Sequence, residues 1–155
     1  MAKDSASRRF LPWLAVGLFI LFIFSNSLWN GEASGQMSGG ISLFLYRFIE
    51  WLRIPMTFET FHLVIRKGAH MAEYLVLAIL TCYAARKTIA DAVKRVIPVA
   101  GIMLAVPLLD EGLQLLVPGR AGMLTDCLID MGGYVIGLLI AGLVYLCKLL
   151  SYKRK

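Results

Sequence analysis

The sequence predicts an all-α integral membrane protein: a bundle of four transmembrane helices, with an interfacial amphipathic helix between the first and the second. Three observations carry that expectation. Of 155 residues, 59% are hydrophobic and 17% charged, whereas a soluble domain runs to roughly half apolar and roughly a quarter charged. A helix needs about 20 residues to cross the hydrocarbon core, so the chain holds four spans with modest loops, as one membrane domain over residues 1–155. The charges, finally, gather at the ends of apolar runs rather than scattering through them.

The first span is FLPWLAVGLFILFIFSNSLW, about residues 10–29, uncharged throughout. Trp13 and Trp29 near its ends suit the aromatic belt of a membrane interface. A basic stretch before an apolar run also describes a signal peptide, but no small-residue cleavage site follows and the run is too long for one. NGEASGQMSGG reads as a Gly- and Ser-rich surface loop. ISLFLYRFIEWLR, 41–53, is too short to span. Arg47, Glu50 and Arg53 recur every third residue on one helical face and aromatic and aliphatic residues fill the others, which suits a helix lying in the interface; Pro55 ends it. A helix restarts near Thr57, an N-cap with Glu59 in the first turn. Its charge-free part, 74–85, is too short to cross alone, so the second span, about 66–85, must include part of RKGAHMAEY. Residues 86–95 form a polar loop. The third span, about 96–117, carries Pro107 and then Asp110 and Glu111 before PGRAGML breaks it. The fourth, about 126–147, opens on Asp126 and Asp130 and is uncharged from Met131 to Cys147. Gly133, Gly137 and Ala141 form a small-xxx-small ridge along it, expected to pack within the bundle rather than between copies. Cys82, Cys127 and Cys147 follow no disulfide or metal spacing and read as small apolar residues.

Orientation follows from the basic residues. Eleven lysines and arginines lie in the N-terminal tail, the 86–95 loop and the C-terminal end, against five (Arg47, Arg53, Arg66, Lys67, Arg120) on the opposite side. The positive-inside rule then puts both termini in the cytoplasm. This spread over three edges, with no aromatic–basic platform, also excludes nucleic acid as the reason for the net charge of +6. Eight of the ten carboxylates fall on the other side, so the expected setting is a multi-pass protein of the bacterial cytoplasmic membrane with its acidic end outside.

Four-span topology brings three polar stretches to that one end. At 100° per residue, His62, Arg66, Lys67, His70, Glu73 and Tyr74 occupy an arc of roughly 140°, Asp110, Glu111 and Gln114 one of about 100°, and Asp126 and Asp130 share a face. A charge at mid-membrane costs about 2.5–3.5 kcal/mol even on the lenient insertion scale. These groups must therefore pair with one another, bind something, or sit in a wet pocket. Ion pairing alone accounts for any one of them, but a bundle needing only stability would carry leucines here.

RKGAHMAEY, DEGLQLLVPGR and DCLIDMGGYVIG, with FSNSLWNGEASG before them, resemble the VanZ-like family of small bacterial membrane proteins over roughly Phe24 to Gly142. The resemblance maps the family's Lys-x-x-His and following aromatic onto Lys67, His70 and Tyr74, with Glu73 beside them. It maps the acidic pair and glutamine onto Asp110, Glu111 and Gln114, and the Pro-Gly-Arg turn onto Pro118, Gly119 and Arg120. The Asp-x-x-x-Asp with trailing glycines falls on Asp126, Asp130, Gly133 and Gly137. The departure is AGMLT, 121–125, more apolar than the family's Ser-containing forms, which bears on ligand preference. The family's namesake is linked to resistance to teicoplanin, a glycopeptide acting on lipid-linked cell-wall precursors, and many relatives have no such role.

The expected function is an external-face pocket that binds a lipid-linked or phospholipid head group, or a glycopeptide-type ligand, in an accessory role. Arg66, Lys67 and Arg120 would hold phosphate, with Tyr74, Gln114, Asp126 and Asp130 completing the binding set. The alternative is a membrane-embedded hydrolase or transferase acting on the same head group. There His70 would be acid or base, oriented by Glu73, and Asp110 and Glu111 would join in catalysis. No motif requires a cofactor, although Asp110, Glu111, Asp126 and Asp130 are oxygen donors suited to a divalent cation. Transport is the weakest class, because the inner halves of the spans lack the polar residues that a relay needs.

Overall fold

Five helices follow one another along the chain: α1 (Ala2–Leu28), α2 (Gly31–Trp51), α3 (Phe58–Thr88), α4 (Val96–Gln114) and α5 (Leu124–Lys153), with no strand among the described residues. The protein is seen in a computed structural model that describes residues 2–28, 31–118 and 123–153, with backbone alone for 2–9, 31–39, 41 and 153. Trp29, Gly119 and Arg120 lie outside the described residues. Three helices are long and apolar enough to cross a membrane: Phe10–Leu28, Val96–Gln114 and Leu124–Tyr152, with mean hydropathies of 1.9, 1.7 and 2.0. α3, 31 residues long, is not among them; Glu59, Arg66, Lys67 and Glu73 fall in its N-terminal part.

Each helix turns one narrow stripe inward. On α3 the buried positions are Phe61 and, from the middle of the helix on, Tyr74, Leu77, Ala78, Thr81, Ala84 and Ala85, the latter at the i, i+3, i+4, i+7 spacing of a helix face. On α1 they are Val16, Ile23 and Ser27, with Trp13, Ile20 and Phe24 half-buried between them. These residues meet Val106 of α4 and Tyr134 of α5 in one apolar core. Outside the stripes the surface is leucine, isoleucine, valine and phenylalanine, among them Leu18, Leu104, Leu139 and Leu143, all more than half exposed.

Inter-helix contacts fix the directions. Trp13 Nε1 donates to Thr88 Oγ1 (2.9 Å) and Asn26 Nδ2 to Glu73 Oε1 (2.9 Å), so α1 runs antiparallel to α3. Tyr134 donates to the Val99 carbonyl (3.2 Å) and the Cys127 thiol approaches the Pro107 carbonyl (3.6 Å), so α5 runs antiparallel to α4. Lys67 pairs with Asp126, and Met71 and Leu75 lie against Gly133 and Gly137, so α3 and α5 run parallel, and theirs is the most extensive contact among the described residues. Two glycines permit it. A Cβ at Gly133 would collide with the Met71 carbonyl, and one at Gly137 with the Leu75 carbonyl and the Ala78 methyl. The α3–α4 connection is closed by Arg95, whose guanidinium donates to the Ile89 and Ala90 carbonyls (2.7 and 2.8 Å), and by Asp91, which accepts from the Val93 amide (2.8 Å).

The Thr57 cap is present, its hydroxyl accepting from the Thr60 amide at 3.3 Å. Several boundaries differ from expectation: α3 continues to Thr88, into the expected 86–95 loop, and α5 covers Leu124–Lys153 rather than 126–147. Residues 31–40, expected as a loop, are helical and belong to α2. α2 packs on α3 through buried Ser42 and through Tyr46, which lies against Phe58 and Phe61 (centroids 5.4 and 5.6 Å). Once that segment is nucleated, each preceding residue adds one hydrogen bond for one residue fixed, and glycine content does not stop it. The third span, expected to reach 117, ends as α-helix at Gln114. The chain tightens there into i→i+3 bonds, from Leu116 to Leu113 and from Val117 to Gln114, since Pro118 disfavours helical backbone in the residue before it.

Candidate functional site

The inward stripes change chemistry along their length. Between the α3–α4 connection and the middle of the bundle they are mainly alanine, leucine and valine, with Thr81, Trp13 and Tyr134 among them. Past Tyr74 they become polar on every helix that reaches that end, opposite the α3–α4 connection. α3 supplies Lys67, His70, Glu73 and Tyr74, α4 supplies Asp110, Glu111 and Gln114, and α5 supplies Asp126 and Asp130. The site is thus the far end of the core itself, built on the same helical faces.

Asp110 and Tyr74 are completely buried and Asp130 is 2% exposed. The charges of Asp110, Asp130 and Glu73 all act on the Tyr74 phenol, so one residue from each of α4 and α5 and two from α3 converge there. The carboxylates are arranged in two tiers around that centre. Gln114 Nε2 donates to Asp110 Oδ2 (3.2 Å) and Glu111 Oε1 (3.3 Å), bridging the adjacent pair from one turn further along α4. Glu111 Oε2 accepts from the Met123 amide (2.7 Å), so this side chain ties the α4–α5 connection to α4 just ahead of α5. Nearer the rim, Lys67 Nζ pairs with Asp126 Oδ1 at 2.7 Å, joining α3 to α5. His70 Nδ1 lies 3.8 Å from Glu73 Oε2, one turn along α3. Glu73 is held from its other oxygen by Asn26, so the imidazole faces a carboxylate fixed by α1.

Among the described residues, buried polar atoms here without a hydrogen-bond partner include the Tyr74 hydroxyl, Asp130 Oδ1, Glu73 Oε2 and Ser27 Oγ. Leaving a buried donor or acceptor unsatisfied costs about 1–3 kcal/mol, and native interiors do so rarely. Among the described residues, no group of three or more His, Cys, Asp or Glu side chains is arranged to hold a metal ion.

Ten of the eleven residues singled out from the sequence are described. Nine of them gather at this end, whereas Arg66, also on α3, is exposed to the outside of the bundle; Arg120 is the residue outside the described set. Sequence reasoning missed Asn26 and Ser27. Their signal was an Asn-Ser pair closing an otherwise apolar span, at helical spacing from the buried Ile23. An amide at that depth calls for a partner, and Glu73 is that partner.

Five helices, three of them fit to cross a bilayer, and a cluster of buried acid, amide, phenol and imidazole at one end define the class: a small helical membrane protein with a polar site at the end of its core. The chain belongs to the VanZ/LLP1 family, which matches residues 11–145. No curated protein and no solved structure matches it.

Proposed function

We propose that the polar end of the bundle binds the phosphate-bearing head group of a phospholipid or lipid-linked cell-envelope precursor, in an accessory role, at the external face of the bacterial cytoplasmic membrane. In this reading α3 is the fourth span. Lys67 and Glu73 turn toward α5 and α1 rather than toward lipid, and the exposed Glu59 and Arg66 lie toward the start of the helix, where charged side chains reach the interface. α2, with apolar residues outward and Arg47 and Glu50 beside them, lies in the outer interface. The eleven-to-five division of basic residues sets both termini and the α3–α4 connection in the cytoplasm.

The observation that carries the proposal is the unpartnered pair, the Tyr74 hydroxyl and Asp130 Oδ1, buried next to Asp110. Phenylalanine and leucine would fill the same space without the penalty, so the polar atoms stand to gain from an arriving ligand. Such a ligand offers a donor, a hydroxyl or ammonium, to Asp130 and an acceptor to Tyr74. Lys67, already at the rim, supplies a cation to a phosphate and exchanges part of its bond to Asp126 for it. A head group carrying phosphate together with hydroxyl or amine meets all of these demands at once.

One observation favours a second reading, a hydrolase or transferase acting on the same head group. His70 faces Glu73, and Asn26 fixes Glu73, which is the base-and-orienter arrangement of acid–base catalysis.

The test is mass spectrometry of envelope lipids incubated with purified wild-type protein and with Asp130→Asn. A lipid that co-purifies with the wild type and not with the variant supports the binding site. A species consumed by the wild type alone, with a product appearing, establishes the enzyme. If neither occurs, the head-group reading fails.

A further inference from the structure

The opposite end of the bundle carries a feature that the head-group site does not use. Where α3 and α5 run side by side toward their C-termini, a groove of about 520 Å³ opens between them. Its walls are Ile79 and Cys82 of α3 and Ile140 and Val144 of α5, and its mouth holds Arg86, Lys87 and Lys148. No carboxylate lines it, and among the described residues none of the three cations forms an ion pair. Two are instead placed by aromatic rings at the mouth: the Arg86 guanidinium lies 3.9 Å from the Tyr145 centroid and the Lys87 ammonium 5.8 Å from that of Tyr83.

We propose that this groove seats one phospholipid of net negative charge, from the leaflet at the basic end of the bundle. Helix C-terminal cations and a positive-inside bias would by themselves give basic residues here, but neither calls for an apolar groove beneath them. Ile79 to Lys87 and Ile140 to Lys148 are each eight residues, about 12 Å of helix. The groove thus runs from the interface through most of one leaflet of a core about 30 Å thick, which is the path of an acyl chain. Charge complementarity selects the head group. A phosphodiester with a neutral glycerol presents one negative charge to three cations, whereas a choline would bring a fourth positive charge among them. The inference rests on the membrane-spanning reading and is independent of the polar site at the other end.

The test is native mass spectrometry of the full chain, purified in a neutral detergent and offered equimolar phosphatidylglycerol and phosphatidylcholine. The wild type should retain phosphatidylglycerol over phosphatidylcholine by about tenfold or more, and Arg86→Gln/Lys87→Gln/Lys148→Gln should bring that ratio near one. Val144→Trp fills the groove and leaves the cations in place, so it should lower retention of both lipids. An unchanged ratio in the triple variant overturns the proposal, as does unchanged retention in Val144→Trp. Displacement of the lipid by inorganic phosphate as readily as by added phosphatidylglycerol also overturns it, because the cations would then need no groove. If the triple variant does not fold, Lys148→Gln alone reads the same ratio: a fall of about fivefold supports the seat, and no fall overturns it. The fall in ratio caused by the triple variant should be as large in an Asp130→Asn background, where the polar site no longer contributes, so failure at either end is told apart from failure at the other.

Discussion

At the scale of single residues, Tyr74 separates a site built for binding from one built for stability. Its ring sits in the apolar core while its hydroxyl meets two carboxylate-bearing helices without a hydrogen bond. If the hydroxyl served the fold, Tyr74→Phe would destabilise the protein. We expect the reverse: the ligand-free variant melts no lower than wild type, with a gain of about 1 kcal/mol, and loses lipid retention in the experiment above. Thermal unfolding in detergent after exhaustive delipidation checks the first half. A fall in stability with retention intact would make the tyrosine structural. Lys67 and Asp126 behave differently, since each satisfies the other. A double-mutant cycle of Lys67→Met and Asp126→Asn should give a coupling of about 1 kcal/mol, modest because both side chains remain about a quarter exposed.

At the scale of elements, the α3–α5 contact is the one that positions the site, because it sets Tyr74 and Lys67 opposite Asp130 and Asp126. Gly133 and Gly137 bring the two backbones together. Gly133→Leu or Gly137→Leu should therefore cost at least about 3 kcal/mol, at the upper end of overpacking, and abolish lipid retention along with the pair. Gly142→Ala, five residues on, meets nothing within 4 Å and should be neutral or slightly stabilising, by up to about 1 kcal/mol. Both follow from thermal unfolding of the purified variants. α2 shows a different local constraint. Its end is a Schellman turn, with Ile54 donating to Ile49 and Arg53 to Glu50 (3.3 and 2.9 Å), and the left-handed position that glycine normally fills is Arg53, φ 54°. An L-residue there costs about 1–2 kcal/mol, so Arg53→Gly should raise stability by about 1 kcal/mol. The arginine pattern that suggested one helical face thus includes a residue beyond the helix. The spacing of Arg47, Glu50 and Arg53 was readable from sequence, but the turn that takes Arg53 out of register was not, nor was the continuation of α2 back to Gly31. Each depends on what the segment packs against rather than on its own residues.

At the scale of the whole molecule, the three polar stretches had a common end only if the helices alternate in direction, and alternation is what the inter-helix contacts give. That is why Lys67, His70, Asp110 and Asp126 were legible from sequence as neighbours: bilayer-length runs fix the number of residues between reversals, and polar residues at their ends must then share a depth. Asn26 was not legible because its partner, Glu73, is 47 positions away and hydropathy alone scores it as the tail of an apolar run. Alternation does not by itself say which end faces the cytoplasm; the proposed orientation rests on the charge division, and it leads to the last prediction. In a variant lacking Cys82, Cys127 and Cys147, single cysteines at Ala92, on the α3–α4 connection, and at Tyr152, near the end of α5, mark one end of the bundle. Thr57, ahead of α3, and Met123, ahead of α5, mark the other. A membrane-impermeant maleimide applied to intact spheroplasts should label the cysteines at 57 and 123 and leave those at 92 and 152 unlabelled until the membrane is opened. Labelling of 92 and 152 first would turn the molecule over and place the polar site in the cytoplasm. Labelling of 57 together with 92 would mean that α3 does not cross, its charges then lying in water and the buried phenol and carboxylate having no membrane reason to be where they are.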